Sequence, residues 1–404
     1  MTARRLDRAL RALAVVLAAV AVYQAVYRAT WSPNHRTDYT VYTAAARAAL
    51  DGGDLYAARN RRGWLFNAAP AFAVAMIPFD ALGVAAGSAL FAALSVAALV
   101  GALVGSARAA RAAASGPSPS VSVLAAAGGL LVLYAALSGA SRGNPSIVGL
   151  SLGALAAVSA ARGRDGRAGL MLAAATAIKV FPAALAIGWL VAGRRRAVVA
   201  FVAWSLAFAA STVVALGPAG AVEAHRRFVA VMLDAAATPR ADAARFEQTF
   251  DPGLIRNQSA SAIGARIGGA FGAPAEGSAA GFVLAAGLWV FAVMRGRRLW
   301  TSGAPDGPLR GATATLLPVL LLAPTAWSHY FVLLAPAGVL LARDALAPRP
   351  AAPRSSRFGG AVVLATQIAV AVAPPLRGFG VAVFGWLAAW PALFGRQAVA
   401  AARR

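Results

Sequence analysis

Apolar runs recur from one end of this chain to the other, separated by short clusters of arginine. Several approach the ~17–25 residues that carry a helix across a bilayer. Backbone N–H and C=O groups find no water partner in hydrocarbon, so spanning segments pair them internally, as helices do. The chain therefore reads as all-α, a polytopic membrane protein. Of its 404 residues 60% are hydrophobic and 13% charged, with a mean hydropathy of +0.67. The apolar runs leave no room for a soluble domain, so residues 1–404 read as a single integral membrane domain.

The net charge of +24 does not point to nucleic acid. The arginines fall between apolar runs, as cytoplasmic loops do under the positive-inside rule. With no cysteine, disulfides and thiolate metal sites are excluded, and only three histidines argue against a histidine-rich metal site. No cofactor or metal is expected.

The basic clusters set a topology. Arg4–Arg11 lies inside, and Leu10–Tyr27 is a first transmembrane helix that stays attached rather than a cleaved signal. Residues 28–65 form an extracytoplasmic loop, and Phe66–Phe79, with Pro70 and Pro78, dips in and returns. Val84–Ser106, Val121–Ser138 and Ile147–Ala161 then cross in turn. Val198–Leu216 leads to a second extracytoplasmic loop, 217–258. Gly281–Met294, Ala312–Ala323 and Tyr330–Leu341 cross before a cytoplasmic Pro/Arg linker, 343–358. Val362–Ala373 and Gly380–Leu393 finish the chain, with both termini cytoplasmic. The expectation is about ten transmembrane helices plus re-entrant half-helices, each span judged by length and apolar content.

One lysine stands against thirty-seven arginines, and it lies within an apolar segment. An ionisable group at membrane depth is a functional candidate by default, although a long cationic side chain can also snorkel to an interface. The segment around Lys179 has basic flanks on both sides, Arg162–Arg167 and Arg194–Arg196. A single span would place one flank outside. Two half-helices meeting near Lys179–Pro182 satisfy both, and Pro182 suits a break there. Lys179 then stands at the tip of a re-entrant hairpin.

This topology gathers Asp38, Arg142, Asn144, Lys179, Asn257, Gln258 and His329 on one face. A carboxylate can deprotonate a hydroxyl. Fixed cations can hold a phosphate and stabilise it as it leaves. Each residue also has a plain structural alternative. Asp38 can cap the helix Tyr39–Leu50, Arg142–Pro145 can be a simple turn, Asn257–Ser259 can cap the next helix, and His329 can belong to an interfacial aromatic belt.

Taken together, these segments resemble glycosyltransferase family 87. The resemblance rests on Asp38-Tyr39-Thr40-Val41-Tyr42 followed by Leu50–Tyr56, on Phe66–Pro70, and on Ile178-Lys179-Val180-Phe181-Pro182 before the triple arginine. Asn257-Gln258-Ser259 and Pro324–Tyr330 complete it. Two elements depart from the family pattern: Phe66-Asn67-Ala68-Ala69-Pro70 replaces a Pro-Pro-like element, and Gly143-Asn144 replaces Gly-Gln. The resemblance implies a GT-C-like fold and a hexosyltransferase, mannose being the expected sugar. The donor would be a polyprenyl-phosphate sugar and the acceptor a lipid or glycan. Transfer would occur on the extracytoplasmic face of the plasma membrane, with inversion. It casts Asp38 as general base, and Lys179, Arg142 and His329 as donor-phosphate contacts. Tyr39, Tyr42, Asn144, Asn257, Gln258 and Trp327 would bind substrate. The competing reading is a transporter or lipid-linked sugar flippase, since broken helices near the midplane serve transporters too; the two halves of this chain, however, do not match each other.

Overall fold

In a computed structural model of the protein, the structure describes residues 3–32, 37–237, 243–249, 251–347, 354–373, 376 and 380–394. Among these residues the regular structure is helical, apart from one isolated antiparallel bridge, Arg59 with Leu65. The helices in order are α1 (Ala3–Thr30), α2 (Tyr39–Leu50), α3 (Pro70–Ala75), α4 (Ile77–Ala81), α5 (Gly83–Ala112), α6 (Val121–Leu130), α7 (Leu133–Ala140), α8 (Ser146–Ala161), α9 (Asp165–Ile178) and α10 (Ala184–Val191). There follow α11 (Arg195–Ala237), α12 (Ala243–Thr249), α13 (Ala260–Gly269), α14 (Pro274–Trp300), α15 (Gly307–Ala314), α16 (Leu316–Leu322), α17 (Ala335–Leu346), α18 (Arg354–Val372) and α19 (Val381–Ala389).

The bundle is layered by burial. Helices α8, α16 and α17, with the 3-10 segment Ser328–Leu334, hold the core: Ile147, Leu150, Leu316, Leu320, Val332 and Leu340 are all buried. Around them α1, α11 and α14 turn large apolar side chains outward, among them Val15, Val199, Leu206, Val214 and Val283. Such broad exposed apolar faces require an apolar solvent, and they identify the lipid-facing rim of a multi-pass membrane protein.

Six helices are long and apolar enough to cross a bilayer, or seven if the α6–α7 pair, bent by 74°, is one span. The expected ten are not reached this way because several apolar segments are short or broken. Helix α8 has only 16 residues, and Thr315 interrupts α15 and α16. The Phe66–Phe79 segment forms two short helices that meet at Met76.

Two boundaries change. The expected loop 217–258 is largely helical, because α11 continues to Ala237. Gly217 takes φ 68°, ψ 168°, a conformation open to glycine, and Pro218 at once restarts the helix, where its missing N–H is harmless. The chain turns without a loop. Likewise the expected linker 343–358 starts too early. Arg343 belongs to α17 and is buried in an ionic network with Arg310, Asp306 and Asp344, at separations of 2.7–2.8 Å. Residues 348–353 of that linker lie outside the described residues.

The α9–α10 segment reverses on itself. Arg194, just past α10, bonds Asp165 at the start of α9 at 2.5 Å, so the two ends of the segment meet. Helix α9 stops at Lys179, whose φ −142°, ψ 125° is extended. Pro182 lies in the 3-10 turn that follows.

Candidate active site

The start of α2 is bound onto the turn between α7 and α8. Asp38 N–H donates to Arg142 O at 2.9 Å, and the Thr37 hydroxyl donates to the same oxygen at 3.2 Å. Tyr39 N–H closes on the Thr37 hydroxyl at 3.2 Å. Gly143 makes this approach possible: at φ +60° a Cβ there would stand 3.0 Å from Tyr39 Cβ.

Asp38 occupies the N-cap position of α2, but its side chain makes no capping bond. Its carboxylate is used elsewhere. Oδ2 accepts from Asn144 Nδ2 at 2.7 Å, while Asn144 Oδ1 accepts from Ser146 N–H at 2.8 Å. The second bond fixes the amide so that its NH2 must face Asp38. The other carboxylate oxygen, Oδ1, has no protein donor among the described residues. Burial raises the Asp38 carboxyl above its ordinary value; the Asn144 bond and the charges of Arg142, Lys179 and Arg62 pull against that rise. A carboxylate made more basic yet kept ionisable suits proton abstraction.

The cations come from separate elements. Lys179 projects its Nζ over the ring of Tyr330, 5.4 Å from the centroid, and that ring stacks on Phe181 at 5.6 Å and 20°. Arg142 lies in the α7–α8 turn. Burial lowers its guanidinium below its ordinary value and Asp38 offsets this, while Arg256 and Arg28 add to the lowering; an arginine stays cationic regardless. Among the described residues no carboxylate forms a salt bridge with Lys179, Arg142 or Arg62. His329 is 4% exposed, and both Arg142 and Lys179 act on it electrostatically. Its Nε2 is buried with no hydrogen-bond partner among the described residues.

Tyr42 follows Asp38 by one helical turn and shares its face. Its ring packs edge-on against Phe66 at 6.1 Å and Phe72 at 5.3 Å. Burial, then the charge of Asp38, raises the phenol well above its ordinary value, so it stays protonated. Trp327, half-buried, meets Trp64 at 6.4 Å.

The structure thus brings together Asp38, Tyr42, Arg142, Asn144, Lys179 and His329, with Trp327 beside them. Three expected substrate-binding residues are placed otherwise. Tyr39 is 1% exposed and its hydroxyl donates to Phe79 O at 3.1 Å, so it anchors α2 on the α4–α5 corner. Asn257 is fully buried. Its amide donates to Asp251 O and Pro324 O and accepts from Ser259 N–H and Ala326 N–H; all four bonds hold protein to protein. Gln258 is 1% exposed, and its N–H donates to Ala326 O at 2.7 Å. Asn257 and Gln258 position the turn that carries Trp327 and His329.

Sequence reasoning missed Arg62, Trp64, Tyr330 and a clamp from α12. Arg245, 2% exposed, donates to Tyr56 O, Phe66 O and Asn67 Oδ1, and Gln248 Oε1 accepts from Leu65 N–H at 3.0 Å. Tyr330 directly follows His329, a signal that was available. Nothing in the sequence placed Arg62 beside Asp38.

The profile of Glycosyltransferase family 87 matches residues 68–324, more than half of the chain. The chain belongs to glycosyltransferase family 87. The family 87 match contains Arg142, Asn144, Lys179, Asn257 and Gln258; Asp38 and His329 lie outside it and join it through the contacts above. No curated protein matches the chain. Among solved structures, ArnT from Cupriavidus metallidurans bound to undecaprenyl phosphate aligns over 98% of this chain and 78% of that one, at 16% identity and a TM-score of 0.45. The apo ArnT structure from the same organism aligns over 97% and 78%, at 16% identity and a TM-score of 0.41. Among the described residues no group of three or more His, Cys, Asp or Glu side chains is placed to hold a metal.

Proposed function

We propose that this family 87 protein transfers a hexose, specifically mannose, from a polyprenyl-phosphate donor to a lipid or glycan acceptor. The reaction takes place on the extracytoplasmic face of the plasma membrane, with both termini cytoplasmic. One observation carries the reading: the Asp38 carboxylate, with one oxygen that no donor among the described residues reaches, lies near Arg142, Lys179 and Arg62, none of which forms a salt bridge among those residues.

In the proposed step an acceptor hydroxyl attacks the anomeric carbon from the face opposite the phosphate. The new C–O bond forms as the bond from C1 to the phosphate oxygen breaks. The hydroxyl proton passes to Asp38 Oδ1, and the bonding electron pair leaves with polyprenyl phosphate. Asn144 keeps the carboxylate aimed. Lys179 and Arg142 stabilise the leaving phosphate, fixed charges being most effective where charge develops. His329 Nε2, buried and without a hydrogen-bond partner among the described residues, supplies a further contact to that phosphate. A single displacement inverts the anomeric centre. These charges suffice for a monophosphate leaving group, so no metal is invoked.

The test is transfer from labelled polyprenyl-phosphate mannose in membranes containing wild-type protein or Asp38→Asn. Wild-type transfer and its loss in the variant are expected; full transfer by Asp38→Asn refutes the base assignment. Activity with a glucosyl donor in place of a mannosyl one would overturn the choice of sugar. Orientation is checked separately. The chain has no cysteine, so a single cysteine at Arg61→Cys reports whether an impermeant thiol reagent reaches the site face from outside intact cells.

A further inference from the structure

The base of the α9–α10 hairpin carries more charge than its pin consumes. The turn from α8 into α9, the first turn of α9 and the turn from α10 into α11 hold six arginines and one aspartate. Asp165 is spent on Arg194. The other five, Arg162, Arg164, Arg167, Arg195 and Arg196, are exposed, and none forms a salt bridge among the described residues. Arg194 Nε is buried and also has no hydrogen-bond partner among those residues.

These turns form one surface. A Cβ on Gly163 would stand 3.6 Å from Arg194 Nη2, and a Cβ on Gly169 would collide with Ala200 C and Phe201 N. Helices α9 and α11 therefore touch backbone to backbone within two turns of their first residues, and the arginines around their starts share one rigid frame. Like charges gathered on one face raise a strong local field.

The surroundings of the patch say which anion it meets. Directly past the arginines, α11 turns Val199 and Leu206 outward, and α10 turns Ile187 and Leu190 outward. These belong to the lipid-facing rim, so the guanidiniums stand where that rim ends, at the level of lipid phosphates. A cleft runs between α10 and α14, lined by Gly188 and Ala192 on one wall and by Val293, Arg297 and Trp300 on the other. Ala192 stands two residues before Arg194, so cleft and patch adjoin, and the exposed Arg297 adds another cation. An apolar cleft beside a cationic surface matches an amphiphile with an anionic head.

We propose that this surface binds an anionic phospholipid of the leaflet opposite the candidate site. Arg164, Arg167, Arg195 and Arg196 hold its phosphate, and an acyl chain lies in the α10–α14 cleft. Guanidiniums present forked donors to phosphate oxygens, and clusters of about four to eight basic residues at a membrane surface retain anionic lipid. The inference needs the membrane placement alone and is independent of the transferase reading. Lys179 stands at the other end of α9, so the lipid fastens the base of the element whose tip carries that ammonium.

The experiment is native mass spectrometry of the full chain released from mixed micelles of phosphatidylglycerol and phosphatidylcholine with identical acyl chains. Wild type is expected to retain phosphatidylglycerol over phosphatidylcholine. One basic residue near an anionic surface contributes about fivefold to binding, so Arg195→Gln with Arg196→Gln should weaken phosphatidylglycerol retention roughly twenty- to thirtyfold. Arg195→Lys with Arg196→Lys should keep most of it, which separates charge from folding. Arg8→Gln with Arg11→Gln, two exposed arginines of α1, should leave retention unchanged, and excess inorganic phosphate should not displace the lipid. Equal retention of both lipids by wild type overturns the proposal, as does undiminished phosphatidylglycerol retention in the Arg195→Gln, Arg196→Gln variant. An equal loss in the α1 variant overturns it too, since any basic residue would then serve, and displacement by phosphate would make this a site for a soluble anion. Gly188→Leu narrows the cleft, where a Cβ would already meet Val293 Cγ2 at 3.7 Å; it should weaken retention, and unchanged retention refutes the placement of the chain.

Discussion

Asn144→Ala is the most direct probe of how the base is tuned. The bond from Asn144 Nδ2 to Asp38 Oδ2, at 2.7 Å, is the only protein hydrogen bond to that carboxylate among the described residues. It favours the ionised form. A hydrogen bond to a charged group contributes about 1.5–3 kcal/mol. At 1.4 kcal/mol per factor of ten, its loss lowers kcat/KM roughly ten- to a hundredfold wherever Asp38 must first ionise. The sign follows from the proton balance. Burial already raises the Asp38 carboxyl, and removing Asn144 raises it further, so the base stays protonated to a higher pH. The acid limb of the kcat/KM profile should move to higher pH, and the deficit should narrow once the pH exceeds that limb. The assay is transfer from labelled donor across a pH series, with thermal unfolding in detergent as the folding control. Asn144 Oδ1 also caps the backbone at Ser146, so a stability loss of about 1 kcal/mol is expected. If kcat/KM falls by the same factor at every pH, or the acid limb stays in place, Asn144 only shapes the turn and the reasoning fails.

Asp38→Asn should lose transfer yet unfold no earlier than wild type at neutral pH. A carboxyl raised by burial favours the folded state most below its unfolded value, and that advantage is lost as pH rises through the folded value; the amide removes the loss, and a clearly lower melting temperature would contradict this. Lys179→Arg should reduce transfer about tenfold or more, because a planar fork cannot replace a compact ammonium seated over Tyr330; wild-type rates would show that the lone lysine is incidental. Arg343→Met should destabilise the fold by about 3–5 kcal/mol, the cost of leaving buried Asp344 and half-buried Asp306 beside a single arginine, read as a large fall in the unfolding midpoint.

The break at Lys179 was legible because its signal was topological. Basic flanks on both sides of one apolar segment force a reversal whatever the packing, and the Arg194–Asp165 contact agrees with it. The same logic failed for 217–258. Gly217-Pro218 reads as the end of a helix, yet it joins two, since one glycine can absorb the whole change of direction. Tyr39, Asn257 and Gln258 were misplaced for another reason. A polar residue near a site and a polar residue holding that site's loops have identical sequence signatures, and only the direction of the side chain separates them. Tyr39 and Tyr42, three residues apart on α2, differ in placement: one hydroxyl is spent on Phe79 O, while the other phenol feels the charge of Asp38. Arg343 looked like loop charge because Asp306, one of its two carboxylate partners, is far away in sequence.

The pin between Arg194 and Asp165 also sets a height. Helix α9 has 14 residues, a rise of about 21 Å at 1.5 Å per residue, against a hydrocarbon thickness of about 30 Å. Measured along the helix, Lys179 therefore stands less than one hydrocarbon thickness from the pinned end. The fold therefore works as a ruler as well as a charge carrier. One residue inserted in α9 would lift the ammonium by about 1.5 Å and swing it by about 100°, away from both Tyr330 and the carboxylate it faces.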